Sequence, residues 1–264
     1  MSVRRPLWRT LPLVAALAAT IGIAAPAQAA LPYTALGDSY SSGTGTREYY
    51  ADGTSCQRSR YAYPVIDAAR LGATLTFAAC SGAKIPGVLS GQLGSLNTGT
   101  RYVTVSAGGN DVGWSDVIVQ CAKPWPYTCW SQIDQAEAYI RNTLPGQLNQ
   151  LYTTIKSRAP YAKIVVVGYP RLFNGVECNA IARISPGEQA ELNAAADLLA
   201  VTTRDRAVAN GLTFVDARGP FTGHAVCDSV EWINGTSWPL SESYHPNRNG
   251  HIGYAAIVET ALRS

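Results

Sequence analysis

Short runs of β-branched residues alternate with long amphipathic stretches along nearly the whole chain, and this alternation restricts the fold more than any other feature. The strand-like runs are Tyr33 to Leu36, Leu75 to Ala78, Tyr102 to Ser106, Ile164 to Val167 and Thr213 to Val215. Helical patterns fill Tyr61 to Leu71, Ile133 to Ser157, with a bend at Pro145, Gly187 to Ala209 and Gly250 to Leu262. Ile164 to Val167 has no polar alternation, as expected of a strand covered on both faces. Strands separated by helices predict an α/β domain with a parallel sheet and right-handed crossovers. Two segments break the rhythm. Trp114 to Trp130 and Phe221 to Tyr244 are rich in Trp, Pro, Cys and Gly, and they read as long surface loops.

Residues 1–29 read differently from the rest. Arg4, Arg5 and Arg9 precede an apolar run from Leu11 to Ala25, and Ala27-Gln28-Ala29 supplies the small residues of a cleavage site. That is the pattern of a secretory signal, leaving one domain over residues 30–264. A transmembrane anchor is the alternative, but the run is short for the ~30 Å hydrocarbon core. The segment holds three of the 21 basic residues and none of the 18 acidic ones, so the remainder is neutral. A neutral chain without a Lys/Arg cluster has no general attraction for nucleic acid or anionic headgroups. No later segment is long and apolar enough to insert stably in a membrane.

All six cysteines, Cys56, Cys80, Cys121, Cys129, Cys178 and Cys227, follow the signal. An even count in an exported chain predicts three disulfides. Of the possible pairings, neighbours in sequence are favoured: 56 with 80, 121 with 129, and 178 with 227. A metal site is the competing reading. It lacks both a C-x-x-C and a nearby His pair, so neither a metal nor another cofactor is expected.

In an open parallel sheet, ligands sit beyond the carboxyl ends of the strands. After the first strand comes Gly37-Asp38-Ser39, a tight turn that can present a serine as a nucleophile, although taken alone it reads more simply as a helix cap or turn. After the second comes Ser81-Gly82-Ala83, where a glycine N–H can face a ligand or merely make a turn. After the third comes Gly108-Gly109-Asn110-Asp111. Its Asn amide is a neutral donor suited to a developing oxyanion. A serine nucleophile needs a base that titrates near neutrality, and three histidines are present. His245 stands before Pro246 in an extended loop. His224 lies in the second aromatic loop. His251 starts the last helix, where a surface role is expected. Asp38 and Asp111 read as structural, bonding loop backbone.

These four blocks, Gly-Asp-Ser39, Gly82, Gly-Gly-Asn110-Asp and His245, together resemble the SGNH hydrolase superfamily, also called GDSL esterases and lipases. The phrases A-L-G-D-S-Y-S, A-C-S-G-A, G-G-N-D and S-Y-H-P-N are most similar to its secreted actinomycete lipases, phospholipases and esterases. The resemblance implies a three-layer α/β/α, flavodoxin-like fold with three disulfides. It also implies an acyl-enzyme on Ser39 with His245 as base, and an oxyanion hole from Ser39, Gly82 and Asn110. The superfamily usually places Asp three residues before the histidine, and here that position is Glu242. Either Glu242 or the backbone carbonyl of Ser243 is expected to orient His245. Trp114, Trp125, Trp130, Trp232 and Trp238 either line an acyl groove or form small cores within stapled loops. The expected substrate is a lipid acyl ester of phospholipase A1 or lipase type, cleaved by an extracellular monomer. A polysaccharide deacetylase and a non-catalytic secreted binding module are the alternatives.

Overall fold

The computed structural model describes residues 1–3, 29–179 and 182–264. All but the ends of the expected signal segment, 1–29, lie outside the described residues. Among the described residues, strands β1 (Pro32–Gly37), β2 (Thr74–Phe77), β3 (Tyr102–Ser106), β4 (Lys163–Val167) and β5 (Thr213–Val215) form one sheet. Its order is β2-β1-β3-β4-β5 and every pairing is parallel. That is the flavodoxin-like doubly wound order, whose direction of winding reverses between β1 and β3.

The period-2 rule explains the layers. Leu36, Val103, Val105, Ile164 and Val166 point to one face, where α6 (Leu144–Arg158) packs Leu144, Leu148, Leu151 and Ile155 against them. Helix α3 (Ile85–Gly91) adds Ile85 and Val88 to that face. Tyr33, Ala35, Val165, Val167 and Val215 point the other way, towards α2 (Tyr63–Leu71) and α8 (Arg248–Arg263). The remaining helices are α1 (Ser39–Ser42), α4 (Trp114–Cys121), α5 (Trp130–Asn142) and α7 (Pro186–Ala209). Three layers result. The three disulfides are Cys56–Cys80, Cys121–Cys129 and Cys178–Cys227, as favoured from sequence order.

Three expectations are corrected. The stretch Ile133 to Ser157 is two helices, α5 and α6, separated at Thr143. Pro145 stands in the first turn of α6, where its missing N–H costs nothing and its ring disfavours helical continuation from before it. The first half of the Trp114 to Trp130 segment is helix α4 rather than loop. Its Val117, Ile118 and Cys121 recur at helical spacing and are buried, but Pro and Trp content nearby masked the period. His251 is fully buried instead of superficial. Its Nδ1 accepts the Tyr63 N–H at 3.3 Å, joining α8 to the start of α2.

Burial pushes the His251 imidazole down to about 3, helped by the nearby His245. Below its unperturbed value of 6.5, the unfolded chain takes up a proton that the native state refuses. Stability from this group is therefore complete above pH 6.5 and declines as pH falls towards 3. His251→Gln is expected to flatten that decline, measured as urea midpoints across the acid range.

Candidate active site

The site forms where β1 and β3 end side by side. Gly37 has φ +121° and lies so close to β3 that a Cβ there would stand 2.3 Å from the Ser106 carbonyl oxygen. Only glycine fits such an approach. The chain then turns into α1, with Asp38 as its cap: the carboxylate accepts the Tyr40 N–H at 3.0 Å. Ser39 thus heads a one-turn helix at the carboxyl edge of the sheet.

His245 arrives from the other end of the chain. Its Nε2 lies 2.8 Å from Ser39 Oγ, and its Nδ1 lies 2.9 Å from the Ser243 carbonyl oxygen. A carbonyl can only accept, so Nδ1 carries the proton and Nε2 is the acceptor facing the serine. Burial pushes the imidazole down to about 4, against the opposing pull of the Ser243 carbonyl. It is therefore neutral at pH 7.

Glu242 is turned elsewhere. Its Oε1 accepts the Tyr49 hydroxyl at 2.7 Å and its Oε2 pairs with Arg47 Nε at 2.9 Å. Between Glu242 and His245, Tyr244 adopts φ +59°, a left-handed conformation that costs an L-residue ~1–2 kcal/mol. Backbone bonds hold it: Tyr244 N–H donates to Asn234 O, and Asn234 N–H donates to His245 O, both at 2.9 Å. Tyr40 adds a third tie by donating its hydroxyl to Tyr244 O at 2.8 Å. The residue after the serine thereby anchors the segment that carries the histidine.

Asn110 opens towards the same cavity as Ser39 and His245. Its Nδ2 donates one hydrogen to Ala83 O at 3.0 Å, and Asp111 accepts the Ile85 N–H at 3.0 Å. The Gly-Gly-Asn-Asp loop therefore holds the turn that contains Gly82. Gly82 itself is exposed at φ +77° and is not among the residues that line the cavity. Neither the Ser39 nor the Gly82 backbone N–H donates to a partner among the described residues.

Sequence reasoning missed Tyr169, which follows β4 in Gly168-Tyr169-Pro170. Its hydroxyl donates to Asp38 Oδ2 at 2.5 Å and accepts the Gly109 N–H at 3.3 Å, tying the Ser39 turn to the Asn110 loop. Asp38 also accepts the Ser106 hydroxyl at 2.7 Å. Burial pushes the Asp38 carboxyl up to about 6 despite these donors. The available signal was positional: a tyrosine directly beyond a strand end in a parallel sheet.

The cavity beside Ser39 measures about 640 Å³. Trp114, Ile118, Val119, Leu172, Leu199 and Leu240 supply apolar wall. Of the five tryptophans singled out, Trp114 lines it. Trp232 instead packs against Gly253 of α8, edge-on to Phe221 and stacked on His224 with ring centroids 3.9 Å apart. His224 Nδ1 lies 2.8 Å from Val230 O, so this histidine belongs to that local core. Trp130 covers Gly187, while Trp125 and Trp238 face solvent. Among the described residues, no group of three or more His, Cys, Asp or Glu is disposed to hold a metal ion.

A flavodoxin-like sheet with a serine and a histidine meeting at its winding reversal defines the SGNH class of hydrolases. The model of the GDSL-like lipase/acylhydrolase family matches residues 35–251, and the chain belongs to that family. It is an ester hydrolase, which sets aside the reading as a non-catalytic binding module. Lipase 1 of Streptomyces coelicolor is 43% identical over 94% of this chain and 95% of its own. The crystal structure of an extracellular lipase from Streptomyces rimosus is 41% identical, with TM-score 0.83, covering 88% of this chain and 100% of that one. The crystal structure of phospholipase A1 from Streptomyces albidoflavus is 37% identical, with TM-score 0.84 and the same coverage. An acetyl xylan esterase from Geobacillus stearothermophilus, 15% identical with TM-score 0.53, shares the fold.

Tyr169→Phe removes the donor to Asp38 Oδ2 and the acceptor of the Gly109 N–H at once, while Asp38 Oδ1 keeps Tyr40 and Ser106. It is expected to cost ~1–3 kcal/mol in urea unfolding, more than an exposed Tyr161→Phe control would.

Proposed function

We propose that this protein is exported and, as a monomer, hydrolyses long-chain acyl esters of lipids through an acyl-enzyme on Ser39. The observation that carries the reading is the 2.8 Å contact of His245 Nε2 with Ser39 Oγ at the wall of an apolar cavity. In the first step Ser39 Oγ attacks the ester carbonyl carbon while His245 Nε2 takes its proton. The carbonyl oxygen becomes an oxyanion held by the Ser39 and Gly82 amides and by the second hydrogen of Asn110 Nδ2. Collapse breaks the bond to the alkoxide, which leaves with the proton from His245. A water molecule, deprotonated by His245, then attacks the acyl-enzyme and frees the acid and Ser39.

The Ser243 carbonyl orients the imidazole and accepts its Nδ1 hydrogen, a Ser–His dyad rather than a triad. The engagement of Glu242 with Tyr49 and Arg47 supports this over a direct role for the carboxylate. The named lipases and the phospholipase among its relatives support a lipid ester. The residues 1–29 pattern and three disulfides support export of one domain, 30–264, to an oxidising compartment. A polysaccharide ester fits an apolar wall less well, and the likeness to the acetyl xylan esterase extends to the fold alone.

A panel of p-nitrophenyl esters of rising length, phosphatidylcholine and acetylated xylan tests the substrate. Rising kcat/KM with chain length is expected, whereas preference for xylan would reject the lipid reading. A fluorophosphonate should label Ser39 in the folded protein, and Ser39→Ala should lose the label with ~10⁴-fold or more of kcat. Asn110→Ala should lose ~10²–10³-fold. Glu242→Gln should stay within about tenfold, because it removes no contact to the imidazole. Since the base must be unprotonated, activity should hold as pH falls to about 5 and be lost below about 4.

A further inference from the structure

The apolar wall of the cavity continues onto the outer surface. Val119 and Leu240 both line the cavity and are themselves more than half exposed. Pro124 also lines it, and the next residue, Trp125, is 90% exposed. Two residues before Leu240, Trp238 is 83% exposed. Exposed Tyr127 extends the first of these segments. Large indoles left in water beside a mouth already lined by apolar groups are the exception on a soluble surface.

We propose that Trp125 and Trp238, with Val119 and Leu240, form a docking face for the surface of a zwitterionic lipid bilayer. Resting on the lipid-ester reading of the cavity, this names the surface from which the substrate is drawn. An acyl chain that enters the cavity from a bilayer must pass the mouth, so the mouth has to meet the lipid. Indole rings, with an apolar body and one N–H, settle at the headgroup level of a membrane interface. The chain beyond residue 29 is neutral, so binding rests on buried apolar area and not on attraction to anionic lipid. Cations next to the two tryptophan segments are engaged. Arg47 is paired with Glu242 and donates to the Trp238 carbonyl, while Lys123 lies 5.8 Å above the Tyr127 ring. Glu242 offsets the charge of Arg47, which leaves a single lysine against four exposed apolar side chains. Neither tryptophan lines the cavity or touches Ser39 or His245, so docking and chemistry are separable.

The test uses the Ser39→Ala protein, which cannot consume the membrane, and vesicles of phosphatidylcholine. Co-flotation and a blue shift of tryptophan emission are expected. Trp125→Ala and Trp238→Ala should each weaken partitioning about tenfold, and together about a hundredfold. Added salt should change little. On the Ser39 background, the double variant should hydrolyse soluble p-nitrophenyl butyrate within about twofold of the parent, but vesicular phosphatidylcholine far more slowly. Unchanged partitioning in the double variant overturns the proposal, as does partitioning that collapses with salt. A parallel loss on the soluble ester would place the tryptophans in the fold or the cavity, and would also overturn it. So would a sedimenting dimer of the parent that the substitutions dissociate, since the face would then join two copies. The vesicle-binding arm needs no turnover, so failure of the lipid-ester reading shows separately, as a parent that binds vesicles yet cleaves no long-chain ester.

Discussion

The close approach of Gly37 to Ser106 is the constraint on which the site depends. Two parallel strands end level with one another at the reversal of winding, and the backbone of one must turn within van der Waals reach of the other. With a side chain at position 37, the strand ends would part and Ser39 would move off the sheet edge. Because the turn is tight, Asp38 caps a single helical turn and Ser39 heads it. The reversal also leaves a crevice, since the crossovers from β1 and β3 lead away to opposite sides. The cavity wall is built from the segments that border this crevice.

A second set of interactions converts that crevice into a rigid site. Asp38, Tyr169 and Gly109 share one chain of hydrogen bonds, and Asn110 and Asp111 hold the turn beyond β2. Tyr40 reaches the Tyr244 carbonyl, fixing the strained residue beside His245. Neutral donors and carboxylate or carbonyl acceptors thus lock four strand-end loops and the histidine segment without placing a carboxylate next to the imidazole. The imidazole is left with one acceptor behind it and the serine in front. Burial keeps it uncharged, the form in which it can take a proton.

Several of these features were legible in the residues. Runs such as Ile164 to Val167 have too little polarity for anything but a covered strand, and the blocks after β1, β2 and β3 stand where a parallel sheet puts its ligands. Cysteine order anticipated the three bridges. The misreadings have physical causes. Helix α4 hides its period among Pro, Trp and Cys, and Pro145 is ambiguous because a proline suits both a kink and a helix start. His251 looked superficial because a helix start is commonly exposed. Here α2 docks on it and uses its ring nitrogen as an acceptor.

By itself the sequence determined the five strands and which residue types end each of them, because those depend on period and turn chemistry that are local in the chain. The tertiary structure alone decided which acceptor stands behind His245. Glu242 and Ser243 are neighbours in sequence, and their divergence depends on Tyr49 and Arg47, about two hundred positions away, drawing the carboxylate aside. It also decided which tryptophans face the cavity, the local core or the solvent. Composition is the same for all five, while burial depends on what the rest of the chain brings to meet each ring.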